Sequence, residues 1–376
     1  MIARLLLGLC IATFAATAFA HKPSDSYLTL RVADASVDGQ WDIALRDLDA
    51  VLDLDRNADG RIDWGELRSR SEEIDAYASS HLALASAGER CPLAIADHLV
   101  DRHSDGGYVV LALRARCPAA IDTLAVDYGL LFDVDAQHRG LLKLETPSAR
   151  VVSAVFPATK RTQAFALEHA SAWTQLHGYI ADGITHIAAG FDHLLFLVAL
   201  LLPSVLVRSG RRWVPVTSFP RALRNVAATV TAFTAAHSIT LSLATLSIVA
   251  LPSRLVESLI ALSVLLTALD NVWPILPRAR WQVAFAFGLL HGFGFASVLA
   301  DLDLPPSSLA LSLFGFNVGV EIGQLVLVLL LVPLVYLVRE SRLYPRVGLA
   351  TASGVIALLS SGWLIERSFD VRFLPF

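Results

Sequence analysis

Sulfur is nearly missing from this chain. Its 376 residues include one methionine, at position 1, and three cysteines, Cys10, Cys91 and Cys117. No sulfur ligand lies in the apolar segments that follow residue 178, which disfavours a soft site for Cu(I) there. Lysine is as scarce, since Lys22, Lys143 and Lys160 all precede the first long apolar stretch. A net charge of −4 with no basic face excludes nucleic acid as a partner. Neither a GxxxxGK phosphate loop nor a Rossmann glycine fingerprint occurs, which removes nucleotide-driven transport. Apolar residues, by contrast, are plentiful: 55% of the chain is hydrophobic, 17% is charged and the mean hydropathy is +0.57. That composition describes a membrane protein with a soluble domain attached.

Residues 1–20, MIARLLLGLCIATFAATAFA, combine Arg4, an apolar middle and the ending Ala18-Phe19-Ala20, the pattern of a cleavable secretory signal. The mature chain would begin at His21, whose free amine and imidazole together could chelate a metal ion. Cys91 and Cys117 would then face an oxidising compartment and form one disulfide. From residue 21 to residue 161 the pattern is soluble. Ser26–Val32, Tyr108–Arg116, Thr123–Asp133 and Arg150–Pro157 alternate apolar with polar residues, predicting the strands of a small sandwich-like β domain.

Inside that domain, residues 41–87 change period. Trp41–Leu54 carries apolar residues at helical spacing, and Asp55-Arg56-Asn57-Ala58-Asp59-Gly60-Arg61-Ile62-Asp63-Trp64-Gly65-Glu66 follows. This matches an EF-hand loop, with side-chain oxygens from Asp55, Asn57 and Asp59, the sharp turn at Gly60, the carbonyl of Arg61, and Asp63. Glu66 would close the shell bidentately, and a single such loop in a secreted domain suits structural Ca²⁺. His138, in a turn with Asp133 and Asp135, predicts a hydrogen-bonded loop, while His81, His98 and His103 predict surface positions. Residues 162–178, with Glu168, His169, Trp173 and His177, predict an interfacial linker helix.

The remainder predicts six membrane helices, near 179–202, 225–250, 255–276, 281–300, 307–338 and 346–366, with 367–376 as a tail. Arg208, Arg211, Arg212, Arg221, Arg224, Arg278, Arg280, Arg339, Arg342 and Arg346 gather on alternate connections, while Arg254, Asp301 and Asp303 lie on the opposite ones. The positive-inside rule puts the soluble domain and the C terminus outside. The first span, GITHIAAGFDHLLFLVALLL, carries His186, Asp192 and His193. As one continuous helix it would stack the two imidazoles on one face, roughly 10 Å apart. His237 on the second span, His291 on the fourth, and Asn317, Glu321 and Gln324 on the fifth fall at similar depth. Gly288 with Gly292, and Gly315, Gly319 and Gly323, predict close approach of the fourth and fifth spans. Asp270 and Asn271 fall nearer the inside and Glu257 nearer the outside. Ionisable groups at such depth mark a functional site.

The segments HIAAGFDH from His186, FTAAHSITL around His237, LLHGFGFA around His291 and FNVGVEIGQ around Glu321 resemble the motifs of the HupE/UreJ family of hydrogenase and urease accessory membrane proteins. The resemblance spans residues 180–366; Ile187 stands where short members commonly carry proline, and the external domain marks a longer subgroup. It implies a polytopic α-helical membrane protein of about six transmembrane helices behind an N-terminal β-rich sandwich-like domain. It further implies a nickel or cobalt permease of the bacterial cytoplasmic (inner) membrane, with metalloenzyme-maturation proteins as partners and no catalytic activity. The chemistry alone is broader. His186, Asp192, His193, His237, His291 and Glu321 form an imidazole–carboxylate set suited to Ni²⁺, Co²⁺, Zn²⁺ or Fe²⁺. The same histidines could instead ligate haem in an electron-transfer protein, and an intramembrane hydrolase or an assembly factor are further alternatives.

Overall fold

The structure, a computed structural model, describes residues 25–103, 106–135, 138–148, 151–167, 172–209, 212–273, 275–277, 279–294, 296, 305–341, 343–369 and 371. The expected signal segment, His21, Glu168, His169, Arg211, Arg278, Asp301, Asp303 and Arg342 lie outside the described residues. The chain divides into two compact units near residue 179.

The N-terminal unit is built on ten strands. β1 (Asp25–Ala33), β2 (Ser36–Ala44), β5 (Leu93–His103), β6 (Gly106–Arg116), β8 (Arg139–Glu145) and β9 (Val151–Pro157) form a sheet in the order β5-β6-β2-β1-β8-β9. In it β1 and β8 run parallel, whereas the other neighbours are antiparallel. β3 (Leu82–Ser86), β4 (Glu89–Cys91), β7 (Thr123–Tyr128) and β10 (Thr162–Ala166) form a second sheet, β10-β7-β3-β4. Leu28, Trp41 and Leu111 of the first sheet share one core with Leu84, Val126 and Tyr128 of the second, as alternating inward side chains on two packed sheets require. Cys91 and Cys117 are disulfide-bonded, tying β4 to the end of β6.

Three sequence expectations change here. Trp41 to Ala44 is strand, because Trp41 is fully buried opposite Leu28 and Leu111. The helix α1 therefore runs only from Leu45 to Leu52. Part of the expected linker helix is β10, which pairs with β7. His103 is not a surface residue either: its Nε2 lies 2.9 Å from Asp42 Oδ2 and its ring stacks on Tyr27. His138 is buried, and its Nε2 meets the hydroxyl of Tyr128 at 2.7 Å. The same hydroxyl contacts Ser26 Oγ, which accepts from Trp41 Nε1. Burial pushes the imidazole of His138 down to about 3.

Residues 55–66 join α1 to α2 (Trp64–Ser69), after which α3 (Ser71–His81) leads into β3. Gly60 has φ +79°, the conformation that only glycine takes without strain. Asp55, Asn57 and Asp59 turn their oxygens inward onto the N–H groups of Asp59, Gly60 and Arg61. Glu66 accepts from Arg56, Asn57 and Asp63, and Asp63 caps α2 through the N–H of Glu66.

The C-terminal unit is helical: α4 (Ala172–Ala189), α5 (Phe191–Leu201), α6 (Phe219–Thr245), α7 (Ser253–Val272), α8 (Arg280–His291), α9 (Pro306–Val338) and α10 (Leu349–Phe369), with a short hairpin, β11 (Leu206–Ser209) and β12 (Arg212–Pro215), between α5 and α6. Among the described residues, α6, α7, most of α9 and α10 are each long and apolar enough to cross a membrane, and α4 with α5 gives a fifth span if the bent pair counts as one. In the expected fourth, 281–300, the helix Arg280–His291 gives way to a tighter turn over Gly292–Gly294. Glycines set the packing. A Cβ at Gly319 would fall 2.1 Å from the carbonyl of Ile180, and one at Gly288 2.4 Å from that of Phe233. Thus α9 lies against α4, and α8 against α6; these two glycines meet those neighbours, where close approach between α8 and α9 was expected.

Candidate metal centre

The first span is not one continuous helix. It bends by 70° between α4 and α5, at Gly190, where a Cβ would meet the carbonyl of His186 at 2.6 Å. The bend replaces the expected 10 Å stacking with contact: the rings of His186 and His193 are 4.6 Å apart, centre to centre. Broken helices of this kind are tolerated in membranes where they line a polar site.

His193 is the hub. Its ring lies 5.1 Å from that of His291 and 6.2 Å from that of His237, and Phe233 and Phe196 wall the group. Ligand atoms of His186, His193 and His237 all fall within 4.8 Å of one another. An ion centred among them would stand no more than about 2.8 Å from each, so shifts below about 1 Å reach metal–imidazole bonds of about 2.0–2.1 Å.

Neighbouring groups decide which nitrogen faces the centre. Nδ1 of His291 is 2.8 Å from the carbonyl of Phe287, which can only accept, so Nδ1 carries the proton. Asn317 donates Nδ2 to the carbonyl of Leu313, which fixes its Oδ1 as the acceptor for Ser238 Oγ at 2.7 Å and for His237 Nδ1 at 3.4 Å. Nε2 of His237 and of His291 is left with its lone pair, buried and without a hydrogen-bond partner, and Nε2 of His193 is buried and unpartnered as well. Buried polar atoms in that state are rare. Orientation of one ring nitrogen by a fixed acceptor is how imidazoles are prepared as metal ligands.

The two carboxylates each have a partner outside the imidazole group. Asp192 Oδ2 is paired with Arg367 Nη2 at 2.8 Å, while its Oδ1 is buried without a partner. Glu321 accepts from Thr231 Oγ1 at 2.6 Å; Thr231 precedes His237 by six residues, roughly 9 Å along α6. Thr234 donates to Gln324 in between. The structure therefore gathers three of the six predicted ligands tightly, keeps His291 beside them, and engages Asp192 with Arg367 and Glu321 with Thr231. Asn271 and Asp270 are structural: Asn271 donates to the carbonyl of Ala199, and Asp270 holds the turn after α7. Two contributors escaped the sequence. Asn317 showed only as one member of a polar stripe, and Arg367 fell in the presumed tail because α10 runs on to Phe369.

Residues 161–367 match the HupE / UreJ protein family. This chain belongs to the HupE/UreJ family. It is a family of accessory or transport proteins, associated with nickel and cobalt uptake or with metalloenzyme maturation, rather than of catalysts. A comparison with curated proteins finds no match. In this HupE/UreJ protein the family match takes in β10 and the helical unit as far as Arg367, and the other strands of the β-rich domain precede it.

Proposed function

We propose that this chain is a permease for a divalent transition-metal ion, Ni²⁺ or Co²⁺, in the cytoplasmic membrane of a bacterium. The observation that carries the reading is the set of buried imidazole nitrogens converging from α4, α5 and α6, with the His237 and His291 rings turned by partners on their far side. Neutral imidazoles suit a borderline metal better than Mg²⁺ or Ca²⁺. A potential of about 100 mV acts on a divalent ion with roughly 4.6 kcal/mol, so uptake needs no nucleotide. His186, His193 and His237 bind the ion, His291 stands next to them, and Glu321 receives it a step further along α6. The β-rich domain faces the periplasm, and its 55–66 loop holds Ca²⁺ as a clasp through Asp55, Asn57, Asp59, the Arg61 carbonyl, Asp63 and Glu66, a donor set of the right type. On the inner side, metalloenzyme-maturation proteins receive the metal.

The test is uptake of labelled Ni²⁺, Co²⁺ and Zn²⁺ into cells with and without the gene, normalised to folded protein in the membrane. Saturable accumulation that requires the gene is expected; equal metal content would overturn the reading. A Soret band in the purified protein would favour haem ligation instead.

A further inference from the structure

Arg367 is out of place for a cation channel. It is a fixed positive charge near a site that has to attract another, within electrostatic range of both His193 and His291. Its side chain and that of Asp192 are only 22% and 23% exposed, so their interaction is poorly screened by water.

The guanidinium is also firmly placed. Nη1 reaches the carbonyl of Glu257 at 3.4 Å. The following residue is strapped to the start of α7: Arg254 donates from Nε and Nη2 to the carbonyl of Ser368, whose Oγ meets Ser258 Oγ at 3.3 Å. The carboxylates around Arg367 are those of Asp192, Glu257 and Glu366, and Asp192 is bonded to it directly. Only one Asp192 oxygen is used, and the other is buried without a partner, on the residue that precedes His193 in the chain. A carboxylate held in this way has one oxygen for the protein and one for a ligand.

We infer that Arg367 is a tethered counter-cation for Asp192. In the ion-free protein it is the partner that compensates the carboxylate, since removing one member of a largely buried ion pair leaves the other uncompensated. An arriving divalent ion competes with it for the same carboxylate. Arg367 thereby weakens binding enough for the ion to leave again, a requirement on any site that conducts. This inference rests on the permease reading and assigns a specificity- and release-setting residue to that site.

The experiment uses full-length protein in lipid nanodiscs, titrated with Co²⁺ and followed by its d–d absorption, alongside Co²⁺ uptake in cells. Arg367→Gln should bind Co²⁺ roughly tenfold more tightly, equivalent to about 1.4 kcal/mol, and reach half-maximal uptake at lower concentration with a reduced maximal rate. Arg367→Lys, which keeps the charge, should stay near wild type on both readouts. A merely structural arginine would give lower yield without tighter binding. Should Arg367→Gln fail to fold, the charge-free pair Asp192→Asn with Arg367→Met replaces it, and should bind Co²⁺ about tenfold more tightly than Asp192→Asn alone. Unchanged or weaker Co²⁺ binding in Arg367→Gln, or in the double variant relative to Asp192→Asn, with wild type binding and transporting normally, overturns the inference and leaves the permease reading standing. Wild-type protein that binds none of Co²⁺, Ni²⁺ and Zn²⁺ removes both.

Discussion

Replacing Gly319 with alanine adds one methyl group where α9 meets the backbone of α4. An ideal Cβ there would lie 2.1 Å from the Ile180 carbonyl oxygen and 3.0 Å from Gly183 Cα, all backbone atoms that cannot rotate away. Relief requires α4 and α9 to part by roughly 1 Å, and overpacking of this kind costs about 1–3 kcal/mol. The stability loss is tolerable; the loss of alignment is not. α4 carries His186, and α9 carries the Asn317 amide that turns His237, while metal–ligand distances tolerate only about 0.2 Å. We expect Gly319→Ala to accumulate in the membrane at reduced level and to lose at least about tenfold in Co²⁺ affinity, each 1.4 kcal/mol being a factor of ten. Gly354→Ala on α10, where a Cβ meets nothing within 4 Å, is the control and should be silent. The measurement is Co²⁺ uptake per folded molecule, with folding judged by monodispersity in detergent. Normal uptake by Gly319→Ala would refute the claim that this contact sets the ligand geometry.

Other outcomes follow from the same structure. His193→Asn and His237→Asn should abolish transport of Ni²⁺, Co²⁺ and Zn²⁺ because an amide is a far poorer ligand, whereas His177→Asn, on an exposed ring bonded to the Trp173 carbonyl, should change it slightly; normal rates in the first two would show that the imidazoles are packing. Glu66→Ala should reduce the calcium-dependent rise in melting temperature of the β-rich domain without altering metal uptake, and an unchanged rise would count against the calcium loop. His138 has its pKa lowered by burial and then by Arg139, so the unfolded chain protonates first. The stability from the neutral imidazole is complete above about pH 6.5 and is lost as pH falls towards 3, at up to about 1.4 kcal/mol per pH unit. Hydrogen-exchange protection of the β1 amides, corrected for intrinsic rates, measures this, and His138→Gln should remove the slope; an identical slope in the variant would refute the assignment.

The residues that carry strong local signals were legible. Alternation placed β1, β6 and β9 because each has one face in the core, and Cys91 and Cys117 were the only cysteines left to pair after residue 20. The four motif segments identified the family from short runs of residues. The bend at Gly190 was not legible, since the run from Gly183 to Leu202 is long and apolar enough to fit one straight helix, and a lone glycine is compatible with either form. Trp41 was misplaced for the opposite reason. Its neighbours have helical spacing, but a residue of that volume pays for burial better between two strands than on a short exposed helix. Arg367 was missed because nothing in a sequence ties a C-terminal arginine to an aspartate 175 residues earlier.

The hydrogen bonds that Thr231, Thr234 and Ser238 of α6 make to α9 have a consequence for how the two helices align. α9 is the most apolar of the four unbroken spans among the described residues, and lipid tails are as apolar as its leucines, so greasy side chains alone would accept many longitudinal offsets. Sliding α9 by one turn, about 5.4 Å, would strip Glu321 from Thr231, Gln324 from Thr234 and Asn317 from Ser238 together. Each stranded group would cost about 1–3 kcal/mol with no water to take over. The contacts behave as the teeth of a key: one offset engages all three, and that offset is the one that brings Asn317 to His237.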